Sequence, residues 1–107
     1  MTTFDNRKDT AEKKFAHDAE LQFKASARRN KLLGQWVAGQ LGLSGAEADA
    51  YAKSVVMADF EEAGDEDVFR KIAKDLATGK VEVSEHVIRR TMDELMAKAI
   101  AEIQAGT

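Results

Sequence analysis

The sequence predicts an all-α protein, a four-helix bundle preceded by a helix-prone amino-terminal arm. Three observations predict it. Apolar residues recur three and four positions apart through most of the chain. No alternating run of β-branched residues is long enough for a strand; Val81-Glu82-Val83 is too short and falls in a connection. Glycines at 42, 64 and 79 stand just before helix-starting residues, with no proline anywhere in the chain.

The first bundle helix is predicted over roughly 19–41. Phe23, Ala27, Leu33, Val37 and Leu41 fall on one side of it at about 100° per residue. Gly42 interrupts, and Ser44 with Glu47 three residues later has the spacing of a capping box. That pair opens a second helix over 45–61, with Ala48, Ala52, Val55, Val56 and Phe60 on one face. Gly64 breaks it. Asp65 then suits an N-cap, and Glu66 and Asp67 place negative charge at the positive end of the helix dipole. The third helix, 65–77, carries Val68, Phe69, Ile72, Ala73 and Leu76. Gly79 is expected to end it in the left-handed conformation. Ser84 caps the fourth helix, 84–104, with Val83 and Ile88 placed as a hydrophobic staple. Its face is Ile88, Met92, Leu95, Ala99 and Ile103. Connections this short favour antiparallel neighbours packed as a bundle, residues 19–107.

Residues 1–18 differ from the rest. Their only sizeable apolar side chains are Met1, Phe4 and Phe15, although helix formers are plentiful and no glycine or proline intervenes. So few apolar groups cannot offset a backbone ordering cost of roughly 1–2 kcal/mol per residue, and isolated helices of this length are marginal in water. The expectation is an arm that is mobile when free and helical on a partner, with Phe4, Ala11 and Phe15 as one narrow stripe. A frayed terminus, or the first turns of the long helix, is the plainer alternative.

Composition excludes several chemistries. Without cysteine there is no disulfide, thiol nucleophile or cysteine-ligated metal. His17 and His86 lie in polar stretches, and no serine sits in a nucleophile elbow. The acidic run from Asp59 fails as a calcium loop, because Ala63 and Arg70 occupy ligand positions. No phosphate-cradling loop occurs. The protein is therefore expected to be neither an enzyme nor a metal or cofactor protein. The net charge of -3 argues against nucleic acid as a partner, and no run approaches the ~18 apolar residues of a membrane span. Charge is nevertheless uneven. Residues 1–18 balance, whereas residues 19–31 hold four Lys/Arg against one Asp/Glu. The basic clusters Arg28-Arg29 and Arg89-Arg90, with the single tryptophan Trp36, offer a site for a base and its phosphates. The alternative is a core Trp36 with salt-bridged arginines.

Particular strings resist a generic reading: Met1-Thr-Thr-Phe-Asp5, Lys14-Phe-Ala-His-Asp18, Phe23-Lys-Ala25, Ala27-Arg-Arg-Asn-Lys-Leu-Leu-Gly34, Asp59-Phe-Glu-Glu62, Gly64-Asp-Glu-Asp-Val68 and Ile88-Arg89. Together they resemble the zeta-subunit family, small regulators of the F1Fo-ATP synthase in alphaproteobacteria. Asn6 stands where an acidic residue is expected and Ala63 where proline often precedes Gly64. The resemblance implies a non-catalytic four-helix bundle that binds the F1 sector and blocks ATP hydrolysis. It implies that the arm, residues 1–18, enters an interface between α and β subunits near the central stalk. Phe4 and Phe15 would be its anchors. Arg7, Lys8 and Lys13 would pair with acidic groups, and Asp5 and Glu12 complete the partner-binding set. The resemblance also implies ADP/ATP as a regulatory ligand of the bundle, for which Arg28, Arg29, Trp36 and Arg89 are the candidates. The expected location is cytoplasmic, on the inner membrane through the ATP synthase and without insertion. The rival function is a small adenine-nucleotide-sensing helical module with a different output.

Overall fold

The computed structural model describes the backbone of residues 2–59 and 65–106, with side chains from residue 19 onward. It contains four helices: α1 (Thr2–Gln40), α2 (Gly45–Ala58), α3 (Glu66–Thr78) and α4 (Glu85–Gln104). No strand occurs among the described residues. The predicted all-α bundle is therefore observed. α1 unites the predicted arm with the predicted first bundle helix, because no glycine or proline precedes Gly34. The expected mobility of residues 1–18 lies outside the described residues, as does the Phe4–Ala11–Phe15 stripe.

Each helix end has a local cause. α1 stops where Gly42 takes a φ of 79° and the Leu43 N–H donates to the Ala38 carbonyl at 2.9 Å. This is the six-to-one bond of a Schellman turn. α3 ends the same way, with the Val81 N–H donating to the Leu76 carbonyl at 2.9 Å. The left-handed residue there is Lys80, at φ 60°, and not the expected Gly79, whose φ is -79°. Gly79 lies against the Leu41 side chain: a Cβ on it would stand 2.4 Å from Leu41 Cδ2, so that methyl would have to move. Ser84 caps α4 as predicted, its hydroxyl accepting from the Val87 N–H at 3.2 Å. The other two caps are used differently. Ser44 occupies the N-cap position of α2 without a side-chain bond. The next residue, Gly45, has a φ of 57°, outside the right-handed helical region. Asp65 precedes α3, but its carboxylate is taken by Arg29. α2 closes at Asp59, short of the predicted 61, and Phe60 lies outside the described residues.

Side-chain contacts give the topology. Arg28 of α1 pairs with Glu102, so the end of α4 lies beside the middle of α1. Gly34 meets Ala52, and the end of α2 returns toward Arg29 and Asn30. α3 starts beside Arg29 and ends beside Leu41, so it runs along α1 in the same direction. The result is a helical bundle in which α1 packs chiefly against α2 and α4. The core is Leu33, Val37, Val55, Val68, Ile72, Leu76, Ile88 and Met92.

The buried face of α1 differs from the predicted stripe. It comprises Ala25, Arg29, Asn30, Leu33, Gly34, Val37 and Ala38. Phe23, placed in the stripe by periodicity, is 64% exposed. α1 is covered by one helix on each side, which broadens its buried face toward Gly34 and Ala38 and shifts it off Phe23. At Gly34 the crossing is closest. A Cβ there would stand 2.6 Å from the Ala52 Cα, so the two backbones pack through the absent side chain.

Candidate functional site

The predicted partner-binding residues Phe4, Asp5, Arg7, Lys8, Glu12, Lys13 and Phe15 all belong to α1 by its helical bounds. Their side chains lie outside the described residues. The described surface begins just beyond them, on the same helix. Lys24 pairs with Glu20 one turn earlier at 2.9 Å, and Phe23 stands out into solvent between these charges.

The four residues considered for a nucleotide are dispersed. Arg28 is half-buried between α1 and α4, with Nη1 3.4 Å from Glu102 Oε1. Arg29 is one residue on and points elsewhere. It is 2% exposed; its Nη2 donates to Asp65 at 2.8 Å, and its Nε donates to Asn30 Oδ1 at 2.7 Å. Trp36 is half-buried and packed against the core. Arg89 is on α4, where it donates to Glu66 and Glu85 at 3.1 Å each and lies 4.0 Å over the Phe69 ring. Glu66 first, and then Glu85, hold the Arg89 guanidinium above its usual range. Of the four, Arg28 alone lines the groove beside Gln35 and the groove beside Phe23.

Arg29 instead organises the corner between α2 and α3. Asn30 is completely buried, and its side-chain nitrogen has no hydrogen-bond partner among the described residues. Asp67 is also buried, and its Oδ1 accepts from the Val68 N–H at 2.9 Å. Burial raises the Asp59 carboxyl above the ordinary carboxylate range, and the positive charge of Arg29 partly opposes that shift. A burial of this kind was readable in part. Arg29, Leu33 and Val37 are four apart, so an arginine occupies the core-facing row of α1. A second strut joins α2 and α3: the Tyr51 hydroxyl donates to Asp75 at 2.7 Å, and Lys71 donates to the same carboxylate at 3.0 Å. Burial, and then the bond to Asp75, push the Tyr51 phenol well above its usual range. These are struts between helices. His86 is exposed on α4, the His17 side chain lies outside the described residues, and no described group of carboxylates and histidines could hold a metal ion.

The sequence pattern of the family described as ATPase inhibitor subunit zeta matches residues 1–102, which takes in the arm as well as nearly all of the bundle. The chain belongs to the ATPase inhibitor subunit zeta family. A protein solved by solution NMR shares 53% identity with this zeta-family chain; the match covers 81% of this chain and 99% of the other, with a TM-score of 0.72. The zeta-family fold is thus shared with a solved relative. No curated protein matches the chain in sequence. Among the described residues, no helix is long and apolar enough to cross a membrane.

Proposed function

We propose that this zeta-family chain is a regulatory inhibitor of the F1Fo-ATP synthase and acts sterically. The arm, residues 1–18, enters an interface between α and β subunits of the F1 sector, beside the central stalk, and blocks the hydrolytic cycle. The family match carries this reading, because the shared pattern begins at residue 1 and includes a segment too poor in apolar groups to contribute much to the bundle core. A segment under that description gains its folding energy from a partner. Phe4 and Phe15 supply apolar anchors, Arg7, Lys8 and Lys13 meet acidic groups at the cleft, and Asp5 and Glu12 meet basic ones. The bundle stays outside. By tethering the arm it raises the local concentration of the arm once docked.

An adenine nucleotide is not built into this mechanism, since Arg28, Arg29, Trp36 and Arg89 each serve a different helix contact. A nucleotide-sensing output would show as saturable quenching of Trp36 fluorescence by ATP or ADP with no effect on F1. The inhibitory proposal is tested by ATP hydrolysis in purified F1, comparing the full chain with residues 19–107. The full chain stops hydrolysis and the truncated chain leaves it running; equal inhibition by both would sink the arm as the active part.

A further inference from the structure

Two large apolar side chains stand exposed on the described surface, Phe23 and Met57, each at 64%. Their surroundings differ. Met57 lies on the α1–α2 side, in a groove rimmed by Lys31, Lys53 and Asp49. Phe23 lies with Ala27, Arg28, Ile103 and Gly106 in an open groove of about 350 Å³ between α1 and the end of α4. Charges around the Phe23 groove are matched within the chain, Lys24 with Glu20 and Arg28 with Glu102. What the groove offers outward is therefore chiefly apolar. An aromatic in an open apolar groove with a polar rim has the composition of an interface anchor.

Position supplies the occupant. Phe23 is five residues beyond the arm on the same helix, about 7.5 Å along it at 1.5 Å per residue. Ala19, Phe23 and Ala27 recur at intervals of four, so they share one ridge of α1. No glycine or proline separates arm from bundle, and a helical arm would carry Phe23 to a set depth. Met57 has no such continuity with the arm.

We infer that the Phe23–Ile103 groove is a second docking contact, which receives an apolar side chain on the ATPase subunit surface just outside the cleft that takes the arm. This rests on the inhibitory reading above. The groove sets how far the arm enters and slows its departure.

The test uses the full-length chain and three variants, Phe23→Ser, Phe23→Leu and Met57→Ser, together with residues 19–107. Hydrolysis by F1 is followed across inhibitor concentration, and dissociation is timed. Phe23→Ser is expected to raise the half-inhibitory concentration roughly tenfold, mainly through faster dissociation. Phe23→Leu keeps most of the inhibition and Met57→Ser all of it, with helicity and melting unchanged in each because both positions face solvent. If Phe23→Ser inhibits as well as the parent, while removal of residues 1–18 abolishes inhibition, the groove is not a contact and the arm reading stands. If the parent chain does not inhibit at all, both fall. A parent dimer converted to monomer by Phe23→Ser would assign the groove to a second copy and overturn the inference.

Discussion

Arg28 and Arg29 are neighbours on α1, yet they belong to two differently built regions. Toward the α2–α3 corner, Arg29 is 2% exposed, Asn30 is sealed beside it, and Gly34 lets α1 and α2 pack backbone to backbone. Toward α4, the Arg28–Glu102 pair is one-third exposed and the groove beyond it leaves Phe23 in water. The first region is closed off by packing within the chain. The second holds an apolar group that the chain leaves uncovered, next to the segment proposed to meet the ATPase. Substitutions on the closed side should therefore alter stability, and those on the open side should alter inhibition.

The largest effect is expected where the closed side is tightest. Gly34→Val has to displace the Ala52 backbone, since even a Cβ would stand 2.6 Å from its Cα. A loss of about 3 kcal/mol is expected in denaturant unfolding; an unchanged midpoint would break the idea of a close crossing. Next comes the arginine pair. Arg29→Ala removes a buried guanidinium, leaves Asn30 Oδ1 without its donor and frees Asp65, which is already half in water. The expected cost is about 2–3 kcal/mol. Arg28→Ala breaks a partly exposed pair and should cost less than about 1 kcal/mol. Equal losses at the two positions would erase the contrast.

A smaller effect concerns pH. Burial holds the Asp59 carboxyl above its ordinary range, so the folded state binds its proton more tightly than the unfolded chain. Ionisation of Asp59 therefore costs stability as pH rises through its folded-state titration. Asp59→Asn should be more stable than the parent at pH 7, and the gap should narrow as pH falls toward about 4. Melting curves at several pH values check the sign; a gap that widens on acidification would mean that Asp59 is held ionised by Arg29.

Much of the fold was legible in the residues. Val68, Ile72 and Leu76, and Ile88, Met92 and Ala99, are buried as their spacing requires, because α3 and α4 each turn one face to the bundle. α1 was harder. It has a neighbour on both sides, so a single stripe misplaced Phe23 and omitted Ala25, Asn30 and Gly34. Asp65 read correctly as a helix-starting residue, but its carboxylate was claimed by a residue 36 positions away, which local spacing cannot reveal. Gly79 was read for its backbone freedom, whereas the left-handed residue is Lys80 and Gly79 lies close to the Leu41 side chain. The candidate site divides similarly. The arm could be marked by what it lacks, apolar side chains, but its target came from resemblance and not from periodicity. The suggested nucleotide residues were drawn from two basic clusters and the single tryptophan; the adjacent Arg28 and Arg29 point about 100° apart on a helix, and Arg29 is claimed by Asp65.

The central claim is that the arm itself occupies an α/β interface, and a photoreactive side chain tests it most directly. A benzoylphenylalanine replaces Phe15 in the full-length chain, and a second protein carries it at Met57; each is irradiated with F1. Cross-links from position 15 to the α or β subunit, and none from position 57, are predicted. Cross-links from 57 alone would place the bundle on the enzyme with the arm elsewhere, and would contradict the account.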